Sequence, residues 1–151
     1  MSEPTTDLVA DLVRRIETLE AQAAIARLSA DYCRGADLRD LELFLSVWAD
    51  GAVWQVSEEV EFEGSDEIAA AIEKQWESTT RAFHWTSNPA ITVNPDGVSA
   101  RALFDVHTQV QLPDETWLEF AGTYVDDCIT VDGEWRFARR TAQVHSQRVV
   151  L

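Results

Sequence analysis

Lysine is almost missing from this sequence: Lys74 is the only one. With 12 Lys+Arg against 27 Asp+Glu, the formal net charge is −15 at pH 7. Gripping a phosphate backbone takes a basic patch, which this chain does not supply, so no nucleic-acid partner is expected. The same acidity favours solubility and disfavours anionic substrates. Cysteine is scarce as well. Cys33 and Cys128 are too few for a disulfide scaffold, and no Cys-x2-Cys or Cys/His cluster suggests a metal; both read as small buried hydrophobes. No apolar run approaches the roughly 20 residues of a membrane span. Met1-Ser2-Glu3-Pro4 has neither a basic nor an apolar signal region, so no signal peptide is expected and cytoplasmic residence is the default.

What is present fits one domain over residues 1–151, with 46% hydrophobic residues to fill a single core. Leu8, Leu12, Ile16 and Leu19, then Ile25, Leu28 and Tyr32, recur at helical spacing up to Gly35, a natural stop. A short helix follows, capped by Asp40 and running through Leu41, Phe44, Leu45 and Trp48. Ala52 to Val56 reads as a strand. Ser65 is the expected N-cap of a third helix that buries Ile68, Ile72 and Trp76. From Arg81 onward long strands are punctuated by turn residues at Asn94–Gly97, Pro113–Glu115 and Asp132–Gly133. Helices followed by a meander of four long strands predict an α+β fold, a curved sheet wrapped around helices.

The turns carry a register expectation. Folding about Pro95–Asp96 sets His84 opposite His107; folding about Asp114–Glu115 sets Tyr124 beside Asp105; folding about Asp132–Gly133 sets Thr141 opposite Tyr124 and Arg139 opposite Asp126. One sheet face would then carry His84, His107, Tyr124 and Arg139, and the other Phe83, Trp85, Phe104 and Val106. Two placements stay open: the aromatic face forms the core, or the polar face lines a pocket and a second subunit covers the aromatic one. Trp48 and Trp76 read as core; Trp54, Trp85 and Trp117 suit either a pocket or an interface.

Three stretches carry a family resemblance. Residues 32–54 read Tyr-Cys-Arg-Gly-Ala-Asp-Leu-Arg-Asp-Leu-Glu-Leu-Phe-Leu-Ser-Val-Trp-Ala-Asp-Gly-Ala-Val-Trp. His84-Trp85-Thr86-Ser87-Asn88-Pro89 supplies a His-x3-Asn strand, and Asp132-Gly133-Glu134-Trp135 a final hairpin. Together they resemble the SnoaL-like family of the NTF2-like superfamily over most of residues 20–140. The resemblance implies an NTF2-like cone: a curved, mostly antiparallel sheet wrapped around N-terminal helices, with an internal pocket. The group includes lyases that use no cofactor, such as scytalone dehydratase, bile-acid 7α-dehydratase and hexachlorocyclohexane dehydrochlorinase. Their shared aspartate and histidine fall on Asp37 and His84. Tyr32 matches a site tyrosine and Trp54 a pocket tryptophan. His107 falls near a second catalytic group, and Arg139 near an active-site arginine. Tyr124 joins them as a substrate-facing candidate through the register alone. Where the dehydrochlorinase has a lysine this chain has Tyr32, which argues against chloride elimination.

These residue types suit proton transfer at carbon. Histidine ordinarily titrates near working pH and serves as base, and an aspartate on its far nitrogen fixes the tautomer. Tyr32 or His107 could protonate a departing hydroxyl or hold an enolate oxygen. The expectation is a dehydratase-like lyase for a small hydrophobic, carbonyl-activated substrate, with no cofactor and no metal. A polyketide- or steroid-type isomerase or cyclase uses the same parts, and a non-catalytic NTF2-like module needs none of them. Family habit, together with the apolar sheet face, implies a homodimer or homotrimer.

Overall fold

In the computed structural model, which describes residues 3–150, the elements run α1 (Glu3–Leu38), α2 (Leu41–Ser46), β1 (Trp48–Gln55), β2 (Glu61–Glu63), α3 (Gly64–Ser78), β3 (Arg81–Val93), β4 (Ser99–Gln111), β5 (Trp117–Val131) and β6 (Glu134–Val150). The strands form one sheet in the order β2-β1-β6-β5-β4-β3. β1 runs parallel to β6, and the other neighbours are antiparallel. The sheet is curved and unclosed, and α1–α3 pack on its concave side: an α+β cone. Among the described residues no helix is long and apolar enough to cross a membrane.

The helix ends are set by local chemistry. α1 does not stop at Gly35. It continues to Leu38, and Arg39 takes the left-handed conformation (φ +58°) while the Asp40 N–H returns to the Gly35 carbonyl at 2.9 Å, a Schellman-type closure. Gly35 serves close packing instead, since a Cβ there would lie 2.6 Å from the Phe44 backbone nitrogen. Asp40 caps α2 as expected, accepting from the Leu43 N–H at 3.0 Å. Ser65 is not a cap: α3 already begins at Gly64, and Glu67 reaches back from the first turn to accept the Glu63 N–H at 2.9 Å. β1 begins at Trp48, four residues ahead of the expected strand.

Ile25, Phe44, Val47, Ile68, Ile72 and Phe137 are buried between the helices and the sheet. Each such side chain contributes roughly 1.5–3 kcal/mol through burial. Trp48 lies in this cluster, and Trp76 packs at its edge with its indole N–H donated to the Ala36 carbonyl at 2.8 Å. The stripe Leu8, Leu12, Ile16 and Leu19 is exposed rather than buried.

Turn lengths and two bulges overturn the expected register. The β3–β4 connection is wider than a fold about Pro95–Asp96, and Asn88 (φ +50°) inserts a bulge between Ser87 and Ala90. His84 therefore pairs with Thr108, and His107 pairs with Trp85. The β4–β5 turn centres on Asp114, so Tyr124 pairs with Phe104 rather than Asp105. A second bulge between Asp127 and Cys128 pairs Asp126 with Arg140, not Arg139, and Tyr124 with Ala142, not Thr141. The sheet faces sort accordingly. Phe104 and Val106 point inward with His84 and Tyr124, whereas Phe83, Trp85, Trp117 and His107 share the outer face. There Trp117 stacks on Phe83 at 6.1 Å and His107 on Trp85 at 5.4 Å.

Candidate active site

Asp37 sits in the last turn of α1, and the helix stop just beyond it aims its carboxylate at β3. Oδ1 lies 2.6 Å from the ring Nδ1 of His84, and Oδ2 accepts the His84 peptide N–H at 2.8 Å. Both side chains are largely enclosed, at 17% and 9% exposure. A carboxylate only accepts, so Nδ1 carries a proton, and in the neutral ring Nε2 holds the lone pair.

His84 lines a cavity of about 470 Å³ whose walls include Tyr32, Trp54, Phe62, Ile72 and Tyr124, with Lys74, Gln75 and Ser78 contributed by α3. A second hollow of about 190 Å³ shares Val56, Gln75, Tyr124 and Ala142 with it and adds Val106, Val110, Phe120 and Val144. The combined surface is apolar with a few convergent polar groups, the usual character of a small-molecule site. Tyr32 stands edge-on to His84, with centroids 6.3 Å apart, and to Tyr124 at 5.6 Å. The Tyr32 ring also stands edge-on to Trp54, with centroids 6.2 Å apart. Burial pushes both tyrosine hydroxyls well above the ordinary range, and Arg140 offsets only part of that. They remain protonated donors at any physiological pH.

Behind the tyrosines lies a charged pair absent from the sequence expectation. Arg140 is fully buried and donates Nε and Nη2 to the two oxygens of Asp126, each at 2.8 Å, and Nη2 to Ser29 at 3.1 Å. Its remaining nitrogen, Nη1, has no hydrogen-bond partner among the described residues. The cation lies against the rings of Tyr32 (4.4 Å), Tyr124 (4.2 Å) and Phe137 (4.1 Å). Burial pulls the guanidinium towards neutrality, but the Asp126 charge and its hydrogen bonds outweigh that and hold it ionised. Alternation alone assigns the inward place to Arg139; the bulge moves it to Arg140.

The structure thus brings Asp37, His84, Tyr32, Trp54 and Tyr124 together and leaves two candidates elsewhere. His107 lies on the outer face, with Nε2 3.4 Å from Glu119. On β4 the buried Ala100, Ala102 and Phe104 fix the inward parity, and His107 has the opposite one. Arg139 donates to Gln55 and Glu61, both at 2.8 Å, at the β1–β2 edge. The cysteines are buried, and burial pushes Cys33 up to about 11 and Cys128 to about 12. Among the described residues no group of three His, Cys, Asp or Glu side chains could hold a metal ion.

A curved, unclosed sheet wrapped around N-terminal helices is the architecture of the NTF2-like superfamily. Within it, the model of the SnoaL-like domain matches residues 17–141, and the chain belongs to that family. A hexachlorocyclohexane dehydrochlorinase, LinA type 2, superposes with a TM-score of 0.85 at 19% identity, over 91% of this chain and 93% of that one. LinA type 3 from Novosphingobium barchaimii gives 0.83 at 20%, over 90% and 94%. A scytalone dehydratase-like protein from Novosphingobium aromaticivorans gives 0.82 at 21%, over 89% and 90%. At these identities the likeness is one of fold. Among curated proteins, none is similar enough in sequence to count as a relative.

Proposed function

We propose that this protein is a lyase of dehydratase type acting on a small, apolar, carbonyl-activated substrate, with acid and base supplied by its own side chains. The observation that carries the proposal is the double grip of Asp37 on His84, which leaves one basic nitrogen for the cavity. Nε2 of His84 removes a proton from the carbon next to the substrate carbonyl, and Asp37 stabilises the imidazolium that forms. The C–H electron pair moves onto the carbonyl oxygen as an enolate, held by the Tyr32 or Tyr124 hydroxyl. Collapse of the enolate expels hydroxide from the β-carbon, and the imidazolium returns its proton to it. The sum is loss of water and formation of a conjugated double bond. His107 has no part in this scheme.

An isomerase follows if the imidazolium returns its proton to a different carbon. The presence of a single imidazole at the cavity favours that reading as much as elimination. The test is a panel of apolar β-hydroxy ketones and β,γ-unsaturated ketones incubated in D₂O and followed by NMR. Elimination releases water and forms an enone; isomerisation moves the double bond with deuterium uptake; both are lost in His84→Gln. A panel in which wild type and His84→Gln are equally inert would sink the enzyme reading and favour a binding module.

A further inference from the structure

α1 carries two apolar stripes that face opposite ways. Ala21, Ile25, Leu28 and Tyr32 turn one side of the helix into the core. Val9, Leu12, Ile16 and Leu19 lie on the other side, 43% to 65% exposed, flanked by the exposed Leu8 and Val13. The phase breaks between Leu19 and Ile25, because six residues rotate a helix by about 240°, not a whole number of turns. The side of this half-helix nearest the β3–β4 turn carries Arg14, Glu17 and Thr18 instead, with Glu20 at the boundary between that side and the outer stripe. While α1 stays continuous, its own sheet and helices cannot cover the outer stripe. Most of that stripe also precedes the residues matched by the family, 17–141.

The stripe has the 3-4-3 spacing of a coiled-coil seam, with Val9 and Ile16 at a and Leu12 and Leu19 at d. β-Branched a with leucine d is the preference of parallel two-stranded coils. The flanking g and e positions agree. In a parallel pair, g meets the e position five residues on in the partner helix, which sets Leu8 against Val13 and Arg15 against Glu20, apolar with apolar and cation with anion. Neither Arg15 nor Glu20 has an ion-pair partner among the described residues of its own chain. The next seam position is the exposed Ala23, small enough to let two bodies meet on opposite sides of the coil.

We infer that the N-terminal half of α1 is a dimerisation helix whose occupant is a second copy of this chain, joined in parallel and in register along Val9, Leu12, Ile16 and Leu19. This contact is distinct from any assembly through the outer sheet face, and two residues on each copy set its direction.

Sedimentation velocity on the full chain tests it. The wild type sediments as a dimer at micromolar concentration. Leu12→Asp/Ile16→Asp, substitutions on an exposed face that leave circular dichroism unchanged, halves the assembly mass. Arg15→Glu raises the dimer dissociation constant roughly three- to ten-fold through two lost pairs and their replacement by like charges, and Arg15→Glu/Glu20→Arg restores it. Val9→Cys forms a symmetric disulfide under mild oxidation, the mark of a parallel, in-register pair; the native cysteines are buried and do not compete. A monomeric wild type overturns the inference. So does an oligomer whose mass survives the Asp pair, which would place the assembly on the sheet face, or a Val9→Cys variant that stays uncrosslinked.

Discussion

Asp37 holds His84 at two points at once, taking the peptide N–H with one oxygen and the ring Nδ1 with the other. The peptide donor cannot change its role, so the second oxygen alone decides the state of the ring. Asp37→Asn should therefore do more than remove a charge. Its amide oxygen is claimed by the peptide N–H, its NH₂ faces the ring, and the imidazole is forced to carry its proton on Nε2. Nitrogen NMR of the ring should report this reversed tautomer with the fold intact. Turnover on any active substrate should fall on the order of a thousand-fold or more. An Nδ1-protonated ring in the variant would show that Asp37 does not set the tautomer.

The buried pair behind the tyrosines makes a second case. Asp126→Asn leaves a cation without its counter-charge at a site with no exposure, and should cost about 3–5 kcal/mol, read as a lower urea midpoint. Arg140→Met/Asp126→Leu removes both charges and should recover most of that stability. Turnover should not recover with it, because the cation that favours proton donation by Tyr32 and Tyr124 is gone. Full activity in the double variant would reduce Arg140 to a packing role.

Stability should fall on the alkaline side. Cys33 and Cys128 rise on folding to about 11 and about 12, from ordinary values near 9. Groups raised in the folded state stabilise it in full below their unfolded pKa and lose that contribution as pH climbs to the folded one. The loss begins near pH 9 and is joined by Tyr32 and Tyr124 above their ordinary value of 10. At pH 10 each thiol should account for about 1 kcal/mol. Urea midpoints measured between pH 8 and 10.5 should drop, with a shallower slope in Cys33→Ala and Cys128→Ala.

Gly35→Ala tests close packing against helix propensity. Alanine is the better helix former by about 1 kcal/mol. Its Cβ, however, would meet the Phe44 backbone at 2.6–2.7 Å. The neighbour is main chain and cannot step aside, so a net destabilisation of about 1–3 kcal/mol is expected. A raised melting temperature would mean that α2 moves freely.

Helical periodicity, the Asp40 cap and the turn punctuation carried the α+β architecture into view from sequence. So did the motif at Tyr32–Asp37 together with His84. What stayed hidden was parity. Asn88 and the step at Asp127/Cys128 each insert one residue, and hydrophobic pattern does not mark such an insertion in advance. That is why His107 was expected beside His84, and why Arg139 stood in for Arg140. Phe104 was assigned the wrong face for the same reason, though the run Ala100, Ala102, Phe104 held a cue to the inward side of β4.

The kink at Asn88 also divides the β3–β4 hairpin into two independent lengths. Beyond it, Ala90–Val93 and Ala100–Leu103 form a tip whose parity is referred to the turn. Before it, Arg81–Ser87 takes its parity from the helices beneath. Residues added or removed in matched pairs at the tip would leave His84 facing inward. A single deletion at the bulge would set the parity of the tip against that of Arg81–Ser87, so that one of the two lengths would have to turn over. The hairpin tip is thus open to grafting, while residues 87–90 hold the two lengths in phase.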